Sequence, residues 1–300
     1  MIKHYLKVAF RNLMKYKMQS FVSIIGLAVG FTCFALSALW IRYEMTYDNF
    51  HKGSDRIYMV RAHYANEPGT SKFTPYPLME YLQDKMPEIE AATAFTPHHV
   101  KFRLEETEQE VGMIDADSVF MNFFDIQLLK GTVNFLKSDG QEVAITKEFA
   151  KRLFSKEEDA LGKEVEVGRR VCKIGAIVSG WSNHSNIPYN ILAPARHSPR
   201  WGSSNEQLFI RVRERTDIDA FRTKMSTVHI NDIEKESELS DLLITRMSAL
   251  RYSDYVDKAD VVISFSYIFY FSLAGGRTGD YLFVIQLFDA FYQSPLYAQP

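Results

Sequence analysis

The stretch MQSFVSIIGLAVGFTCFALSALWI, residues 18–41, contains no charged side chain and decides the architecture of this chain. A helix needs about 20 mainly apolar residues to cross the hydrocarbon core of a bilayer. Residues 21–41 reach that length, so we predict one transmembrane helix there. We therefore expect the protein to be anchored in a membrane through its N-terminal part.

Charges on the two sides of this stretch predict its orientation. Five basic residues and no acidic residue precede it: Lys3, Lys7, Arg11, Lys15 and Lys17. Acidic residues follow it at Glu44, Asp48 and Asp55. Because positively charged flanks stay in the cytoplasm, we expect the N-terminus inside and the residues from 42 onward outside.

A cleaved secretory signal peptide is the alternative interpretation of the same stretch. Small residues at Ala35 and Ser37, before Ala38, would form an acceptable cleavage site. However, the apolar run continues past that point to Ile41, whereas signal peptides usually have apolar regions of about 7–15 residues. The longer run favours an uncleaved anchor.

The basic N-terminal segment, residues 1–20, has the pattern of an amphipathic helix. Its charged residues Lys3, Lys7, Arg11 and Lys15 recur at every fourth position, and apolar residues recur at spacings of three and four. One interpretation is a topology signal without a further role. The other is an interfacial helix whose basic stripe contacts lipid phosphates or an acidic cytoplasmic partner.

The net charge of the exterior part argues against nucleic acid as a partner. The whole chain has a formal charge of −2 and the first 20 residues contribute +5, so the remainder carries −7. Nucleic-acid binding needs a basic surface that neutralises phosphates.

Cys33 lies in the apolar stretch and Cys172 in the exterior part, so we expect no disulfide between them.

Residues 42–260 are predicted to form a mixed α+β domain outside the membrane. Runs rich in β-branched and aromatic residues predict strands at 57–64, 100–104, 111–114, 143–146, 164–167, 171–178, 208–212 and 242–246. Apolar periodicity predicts helices at 77–86, after an N-cap at Thr146, and at 218–225 after Asp217. The apolar residues of 118–129, including Leu128 and Leu129, are expected in the core.

Motifs for catalysis or nucleotide binding are absent from the sequence. Lys163 is followed by Glu164 rather than by Ser or Thr, so the phosphate-binding loop of an ATPase is not present. His98, His99 and His184 have no neighbours at the spacing of zinc ligands, and we expect them at the surface or in loops. We predict that the chain is not an enzyme and has no catalytic, cofactor-binding or metal-binding residues.

Several sequence blocks resemble the permeases of MacB/FtsX-type ABC transporters, most closely those of Bacteroidetes. The blocks are AFRNL at 9–13, IGLAVG at 25–30, YEMTYDNFH at 43–51, DRIY at 55–58, FF at 123–124, ITKEFA at 145–150 and LGK at 161–163. The resemblance covers about residues 1–275 and rests on the order and spacing of these blocks.

This resemblance implies a permease of the bacterial inner membrane with a two-lobed periplasmic domain and four transmembrane helices. It also implies a separate cytoplasmic subunit that binds ATP, and a homodimer or a pair of permeases. A stalk next to the membrane would carry motion to the periplasmic domain, and we assign it to Arg42, Glu44, Tyr47, Asp48, Phe50 and His51. A membrane-anchored sensing or adaptor module without transport activity is the alternative function.

The C-terminal part departs from this pattern. Residues 261–275 begin like a second transmembrane helix, but Arg277 and Asp280 follow directly. We expect residues 276–300 to be an aberrant tail, produced either by a shift of reading frame or by genuine divergence. The chain as written would then be a truncated permease.

Overall fold

A computed structural model of the chain describes residues 4–5, 11, 13–64, 69–154, 156–181, 184–228 and 239–250. These described residues divide into two compact units, one within residues 4–45 and the other within residues 46–250. The predicted second span at 261–275 and the tail at 276–300 lie outside the described residues.

The first unit contains helix α1, Lys17–Met45. Among the described residues, 17–43 form the one helical segment that is long and apolar enough to cross a membrane. Arg11, Lys15 and their described neighbours are also helical, and a turn at Tyr16 separates them from α1. The apolar helix therefore begins four residues before the start expected from the sequence, with Lys17 as its first residue and Arg11 and Lys15 before it.

The described part of the second unit contains a sheet of twelve strands. They are β1 Ile57–Tyr64, β2 Thr70–Ser71, β3 Thr74–Pro75, β4 Ile89–Leu104, β5 Thr107–Ala116, β6 Leu128–Gly131, β7 Glu142–Thr146, β8 Glu164–Val167, β9 Arg170–Val178, β10 Ile191–Pro194, β11 Ser204–Val212 and β12 Leu239–Arg246. Along the main path the strand order is β12-β1-β11-β4-β5-β10-β7-β9-β6.

Four α-helices pack on these strands among the described residues: α2 Pro77–Lys85, α3 Ser118–Phe123, α4 Lys147–Leu153 and α5 Ile218–Ser226. Short 3-10 helices lie at Ser54–Arg56, Val133–Lys137, Glu157–Ala160 and Met247–Ala249. The helix starts follow local chemistry, since the side chains of Asp117, Thr146 and Asp217 each accept a hydrogen bond from the first turn of their helix. The predicted caps at Thr146 and Asp217 are thus confirmed.

The long strand β4 divides the second unit into two lobes. Residues 89–95 of β4 pair with β11, whereas residues 96–104 pair with β5. Lobe A comprises β1–β3, α2, the first part of β4, β11, α5 and β12. Lobe B comprises residues 96–194 and is inserted between the two halves of lobe A. The expected two-lobed, mixed α/β domain is therefore confirmed.

Each lobe has its own apolar core, and an aromatic cluster joins them. In this cluster the ring of Phe95 lies 5.4 Å from that of Phe209 in lobe A and 4.8 Å from that of Phe120 in lobe B. All three side chains are fully buried. Because burying one such side chain stabilises a fold by about 1.5–3 kcal/mol, the aromatic cluster holds the lobes together.

Two sequence expectations are wrong in detail. Leu128 and Leu129 were expected in the core but are 38% and 40% exposed, because β6 ends the main path of the sheet. His98 was expected at the surface or in a loop. It lies within β4, half-buried, with its Nε2 atom 2.8 Å from a carboxylate oxygen of Asp115.

Candidate functional site at the junction after the apolar helix

The predicted stalk residues divide between the two units: Arg42 and Glu44 lie in α1, and Tyr47, Asp48, Phe50 and His51 lie in the second unit. In the second unit, Tyr47, Asp48 and His51 are buried, whereas Phe50 is 43% exposed. The segment Thr46–His51 is therefore packed into the domain, and we call it the junction segment.

Asp48 is the centre of this packing. Its side chain is fully buried, and its carboxylate accepts hydrogen bonds from two consecutive residues. The Ser185 hydroxyl donates to Oδ1 at 2.5 Å, and the Asn186 side-chain amide donates to Oδ2 at 2.6 Å. The Asn186 backbone N–H also donates to Oδ2, at 3.1 Å. The loop at 184–187 thus surrounds the carboxylate with donors.

The backbone of the junction segment contacts the same loop. The Asp48 N–H donates to the His184 carbonyl at 3.2 Å, and the Tyr47 ring lies 3.9 Å from the His184 ring. Asp48 has φ +57°, in the left-handed region that Asp and Asn tolerate better than most residues. The backbone at Asp48 is therefore held by the hydrogen bond of its own N–H and by the contact of the neighbouring Tyr47 ring.

Burial is the main cause that raises the pKa of Asp48, and the hydrogen bonds from Ser185 and Asn186 oppose this rise. The net direction is upward. Because the pKa of Asp48 is higher in the folded state, protonating Asp48 stabilises the fold. This stabilisation is complete at pH values below the pKa of Asp48 in the unfolded chain. That stability is lost as the pH rises through the folded-state pKa.

His51 occupies an aromatic environment beside Asp48. Its ring lies 4.7 Å from Trp181, edge-on, and 5.1 Å from Phe124. Its Nε2 atom is buried and has no hydrogen-bond partner among the described residues. The Asp48 Oδ1 atom is 4.0 Å away, too far for a hydrogen bond.

Burial lowers the pKa of His51, and the nearby positive charge of Arg211 lowers it further, to about 4. His51 is therefore neutral at pH 7, and its approach to Asp48 is not an ion pair. A neutral imidazole among aromatic rings acts here as a packing group. The junction segment is thus held by one polar and one aromatic anchor.

A shallow cleft of about 400 Å³ opens beside His51 and is lined by Phe50, Phe124 and Trp181. The Trp181 indole N–H is not available to the cleft, because it donates to the Ile187 carbonyl at 2.9 Å. The aromatic rings share the lining of the cleft with the polar residues Lys52, Asp125 and Ser179.

Arg211 connects the lobes close to this site. It lies on β11 in lobe A, and its guanidinium donates to the carbonyl of Phe123 in lobe B at 2.5 Å. The same guanidinium lies 4.8 Å from the centre of the Phe123 ring, a cation–π geometry. The two contacts fix α3 against lobe A.

His197 forms a second polar connection between the lobes. Its ring is stacked on Tyr76 at 3.9 Å, and its nitrogens lie 3.4 Å from Asp117 and 3.7 Å from Glu206. Burial lowers the pKa of His197, but the two carboxylates outweigh it and raise the pKa to about 9. His197 is therefore charged at pH 7, and pairs with Asp117 of lobe B and Glu206 of lobe A.

The predicted basic stripe is only partly described. Arg11 and Lys15 are helical and exposed, and their spacing of four places them on one helix face. Lys3 and Lys7 lie outside the described residues. Within the described ranges, no group of three or more His, Cys, Asp or Glu side chains is placed to hold a metal ion.

Sequence reasoning identified Asp48 and His51 but missed their partners Ser185, Asn186 and Trp181. The only local signal was a polar, turn-forming stretch around Pro188, with one Trp before it. Such a stretch predicts a loop without saying what the loop contacts. The resulting arrangement is suited to fixing the junction segment in the domain, through hydrogen bonds and ring contacts.

Comparison with known proteins identifies the domain. The sequence profile described as "MacB-like periplasmic core domain" matches residues 20–228. A solved domain of a putative permease from Porphyromonas gingivalis has the same fold, with a TM-score of 0.53, 19% identity, and coverage of 65% of this chain and 92% of that one. No curated protein matches the chain.

Two further solved structures are similar at lower scores. The periplasmic region of MacB from Actinobacillus actinomycetemcomitans gives a TM-score of 0.47 at 12% identity, covering 67% of this chain and 92% of that one. The extracellular domain of the ABC-type transporter YknZ from Gram-positive bacteria gives 0.46 at 14% identity, covering 63% and 99%. By the profile match over most of its length, the chain belongs to the MacB-like periplasmic core domain family of MacB/FtsX-type ABC transporter permeases.

Proposed function

We propose that this chain acts as a permease subunit that couples ATP hydrolysis in the cytoplasm to movement of its periplasmic domain for export of a substrate. A separate ATPase subunit would bind the ATP. The N-terminus would lie in the cytoplasm of a bacterial cell, with α1 in the inner membrane. Family membership supports the permease role.

The buried junction segment is the observation that carries the coupling. Thr46 directly follows the last residue of α1, and Asp48 is hydrogen-bonded within the domain. The Ser185 hydroxyl, the Asn186 side-chain amide and the Asn186 backbone N–H donate to the Asp48 carboxylate, and these hydrogen bonds must break before the segment can leave its loop. A flexible linker would let the helix move without the domain, whereas this attachment obliges the domain to follow.

We also propose a division of the chain that keeps the ranges expected from the sequence. Residues 1–20 would form the basic helix on the cytoplasmic side, 21–41 the first span, and 42–260 the periplasmic domain. Residues 261–275 would begin the second span, followed by the aberrant tail. In the assembly we infer a homodimer or a paired permease, and the stripe of Lys3, Lys7, Arg11 and Lys15 would face lipid or the ATPase.

Affinity purification tests the partner. The tagged full-length chain, crosslinked in its native membranes, should bring down an ABC-type ATPase, and the isolated complex should hydrolyse ATP. If the chain is anchored but no ATPase accompanies it, the permease role is wrong and the sensing or adaptor alternative replaces it.

A fluorophore on a cysteine at Ser71 tests the coupling in the same complex. ATP should change its emission in the wild-type background and in Asp125→Ala, but not in Asp48→Ala. Asp125 is an exposed control with φ +53°, close to the φ of Asp48. An unchanged ATP response in Asp48→Ala would show that the junction segment does not carry the motion.

A further inference from the structure

A second cleft, of about 500 Å³, lies in lobe A and is rich in arginine. Its volume is within the range of about 300–1,000 Å³ that is typical of ligand sites. The charged residues that line it are Arg56, Arg213, Arg215, Arg246, Asp55 and Glu214. Four positive and two negative side chains give the lining a formal charge of +2.

Arg56 is already paired within the protein. It donates to the Glu90 carboxylate at 2.5 Å and lies 3.9 Å from Glu214. The charge of Arg56 is thus largely compensated, and Glu214 is engaged at long range by the same arginine. Any anion in the cleft would therefore be bound by the other three arginines.

Two of these three are held in place by carbonyl oxygens. The Arg213 Nε donates to the Pro87 carbonyl at 2.8 Å, and the Arg246 Nε and Nη2 donate to the Asp55 carbonyl at 3.1 and 2.9 Å. A carbonyl fixes the orientation of a guanidinium without neutralising its charge. Both groups are therefore positioned in advance and remain fully cationic.

The third, Arg215, is exposed at the turn that closes the cleft, with φ +65°. The Thr216 hydroxyl holds this turn by donating to the Arg213 carbonyl at 2.9 Å. A left-handed arginine is strained, and such strain concentrates at ligand sites. Within the described residues, no carboxylate lies at ion-pair distance from Arg213, Arg215 or Arg246.

The chain segments beside this cleft are those that lead to membrane-spanning sequence. Gly53, which lines it, follows the end of α1 by eight residues. Arg246 precedes the second predicted span, which starts at residue 261. The bordering helices Ser54–Arg56 and Met247–Ala249 contact each other. Because a short segment of chain connects the cleft to the membrane anchor, we consider a component of the membrane surface as its anionic ligand.

We propose that this cleft binds the phosphate of an anionic phospholipid headgroup at the outer surface of the inner membrane. Guanidinium groups bind phosphate oxygens through paired N–H donors, and the donors here are fixed before the ligand arrives. The interaction would add a lipid contact in lobe A to the membrane anchor. Lipid binding by the cleft requires the membrane anchor but does not require the ATPase partner. The lipid-binding proposal and the permease proposal can therefore fail independently.

Ligand-dependent thermal unfolding of the purified full-length chain in non-ionic detergent tests this site. A ligand that binds the folded state raises the unfolding midpoint, and at equal concentration a tighter ligand raises it more. Dihexanoyl phosphatidylglycerol should raise the midpoint, and dihexanoyl phosphatidylcholine at the same concentration should not. Sodium chloride should weaken the effect, because the attraction is ionic.

The deciding variant is Arg213→Gln with Arg215→Asn, in which Asn tolerates the left-handed backbone. If each replaced arginine lowers the affinity about fivefold, the affinity of the double variant for dihexanoyl phosphatidylglycerol should fall at least tenfold. The matched control is Arg169→Asn with Arg170→Gln, two exposed arginines in the β8–β9 turn of lobe B. This control should bind like wild type.

Three results would overturn the proposal. The double variant could bind as tightly as the control, phosphatidylcholine could stabilise as well as phosphatidylglycerol, or inorganic phosphate at equal concentration could match the lipid. The last result would assign the cleft to a free phosphate compound. If the double variant unfolds early without ligand, Arg215→Asn alone decides the outcome, since among the described residues the Arg215 side chain has no hydrogen bond or ion pair.

Discussion

Asp48 and Ser185, 137 positions apart in the sequence, share a hydrogen bond of 2.5 Å in a fully buried site. One partner lies three residues after the end of the apolar helix, and the other lies in the loop before β10. The contact attaches the chain that leaves α1 to lobe B. In the proposed coupling, the strength of this contact would decide whether displacement of the helix reaches the domain.

Replacing Asp48 with Ala should destabilise the domain by about 2 kcal/mol or more. The change leaves the buried Ser185 hydroxyl without an acceptor, which costs about 1–3 kcal/mol, and removes the acceptor of the half-buried Asn186. It also places Ala at φ +57°, a conformation that costs it about 1 kcal/mol. The measurement is the free energy of unfolding in urea.

Asp125→Ala is the control for the cost of placing Ala at a positive φ. Asp125 has φ +53° but is exposed, so its replacement carries the conformational cost without the loss of buried hydrogen bonds. We expect a loss of about 1 kcal/mol. Equal losses for the two variants would mean that the hydrogen bonds of Asp48 add nothing to stability.

Acidification should weaken the fold through His51. Its pKa of about 4 in the folded state lies below 6.5, so the unfolded state binds the proton more readily between these values. Stability is therefore complete above pH 6.5 and falls as the pH decreases toward 4. Between pH 7 and pH 5 the loss should be about 2 kcal/mol.

His51→Phe isolates this contribution, because a Phe ring keeps the contacts with Trp181 and Phe124 but does not titrate. The variant should lose about 2 kcal/mol less than wild type over the same range. Asp48, whose raised pKa acts in the opposite direction, and Arg211 are present in both proteins. Exposed His99→Phe should leave the pH dependence unchanged. Parallel curves for wild type and His51→Phe would contradict the prediction.

Local chemistry explains which elements could be predicted from the sequence. Strand β1 has the predicted bounds because it is rich in β-forming residues and a turn-forming sequence follows it. The caps at Thr146 and Asp217 depend on residues within one helical turn, so the sequence contains all that is needed. Predictions of this kind need no knowledge of the distant chain.

The missed features depend on distant contacts. The first part of β4, IEAATAF, has weak β preference, and it is a strand because β11 pairs along it. Residues 42–51 were recognised as important through resemblance, but the burial of Asp48 follows from a loop more than 130 positions away. Neither the loop partner nor the aromatic site of His51 has a local sequence signal.

Alkaline pH should weaken the contact between the lobes through His197. Its pKa of about 9 lies above the usual 6.5, so its stabilising charge is complete below pH 6.5 and is lost as the pH rises through 9. Between pH 7 and pH 9 the loss should be about 2 kcal/mol. Unfolding in urea at each pH measures it.

Glu206→Gln should reduce this alkaline loss, since one of the two carboxylates that favour the charged imidazole is removed. The control is Glu106→Gln at the exposed tip of the β4–β5 hairpin, which should behave like wild type. A Glu206→Gln protein that loses as much stability as wild type between pH 7 and pH 9 would exclude His197 as the cause.

Cysteine labelling checks the predicted topology. In a background with Cys33 and Cys172 replaced by Ala, a cysteine at Ser71 should react with an impermeant reagent added outside intact spheroplasts. A cysteine at Asn12 should react only after the membrane is permeabilised. N-terminal sequencing that begins at Ala38 would establish a cleaved signal peptide instead.

Replacing Lys3, Lys7, Arg11 and Lys15 together with Gln should either weaken stimulation of the partner ATPase or invert the orientation of α1. Each basic group near an anionic surface contributes about 1 kcal/mol. Together the four groups are large enough to affect both the ATPase contact and the orientation of α1. ATP hydrolysis by the purified complex and labelling of the Ser71 cysteine separate the two effects. The control replaces three lysines and one arginine on exposed sites of lobe B, Lys156, Lys163, Lys173 and Arg169. If the stripe variant keeps both properties, as the control should, the stripe has neither role.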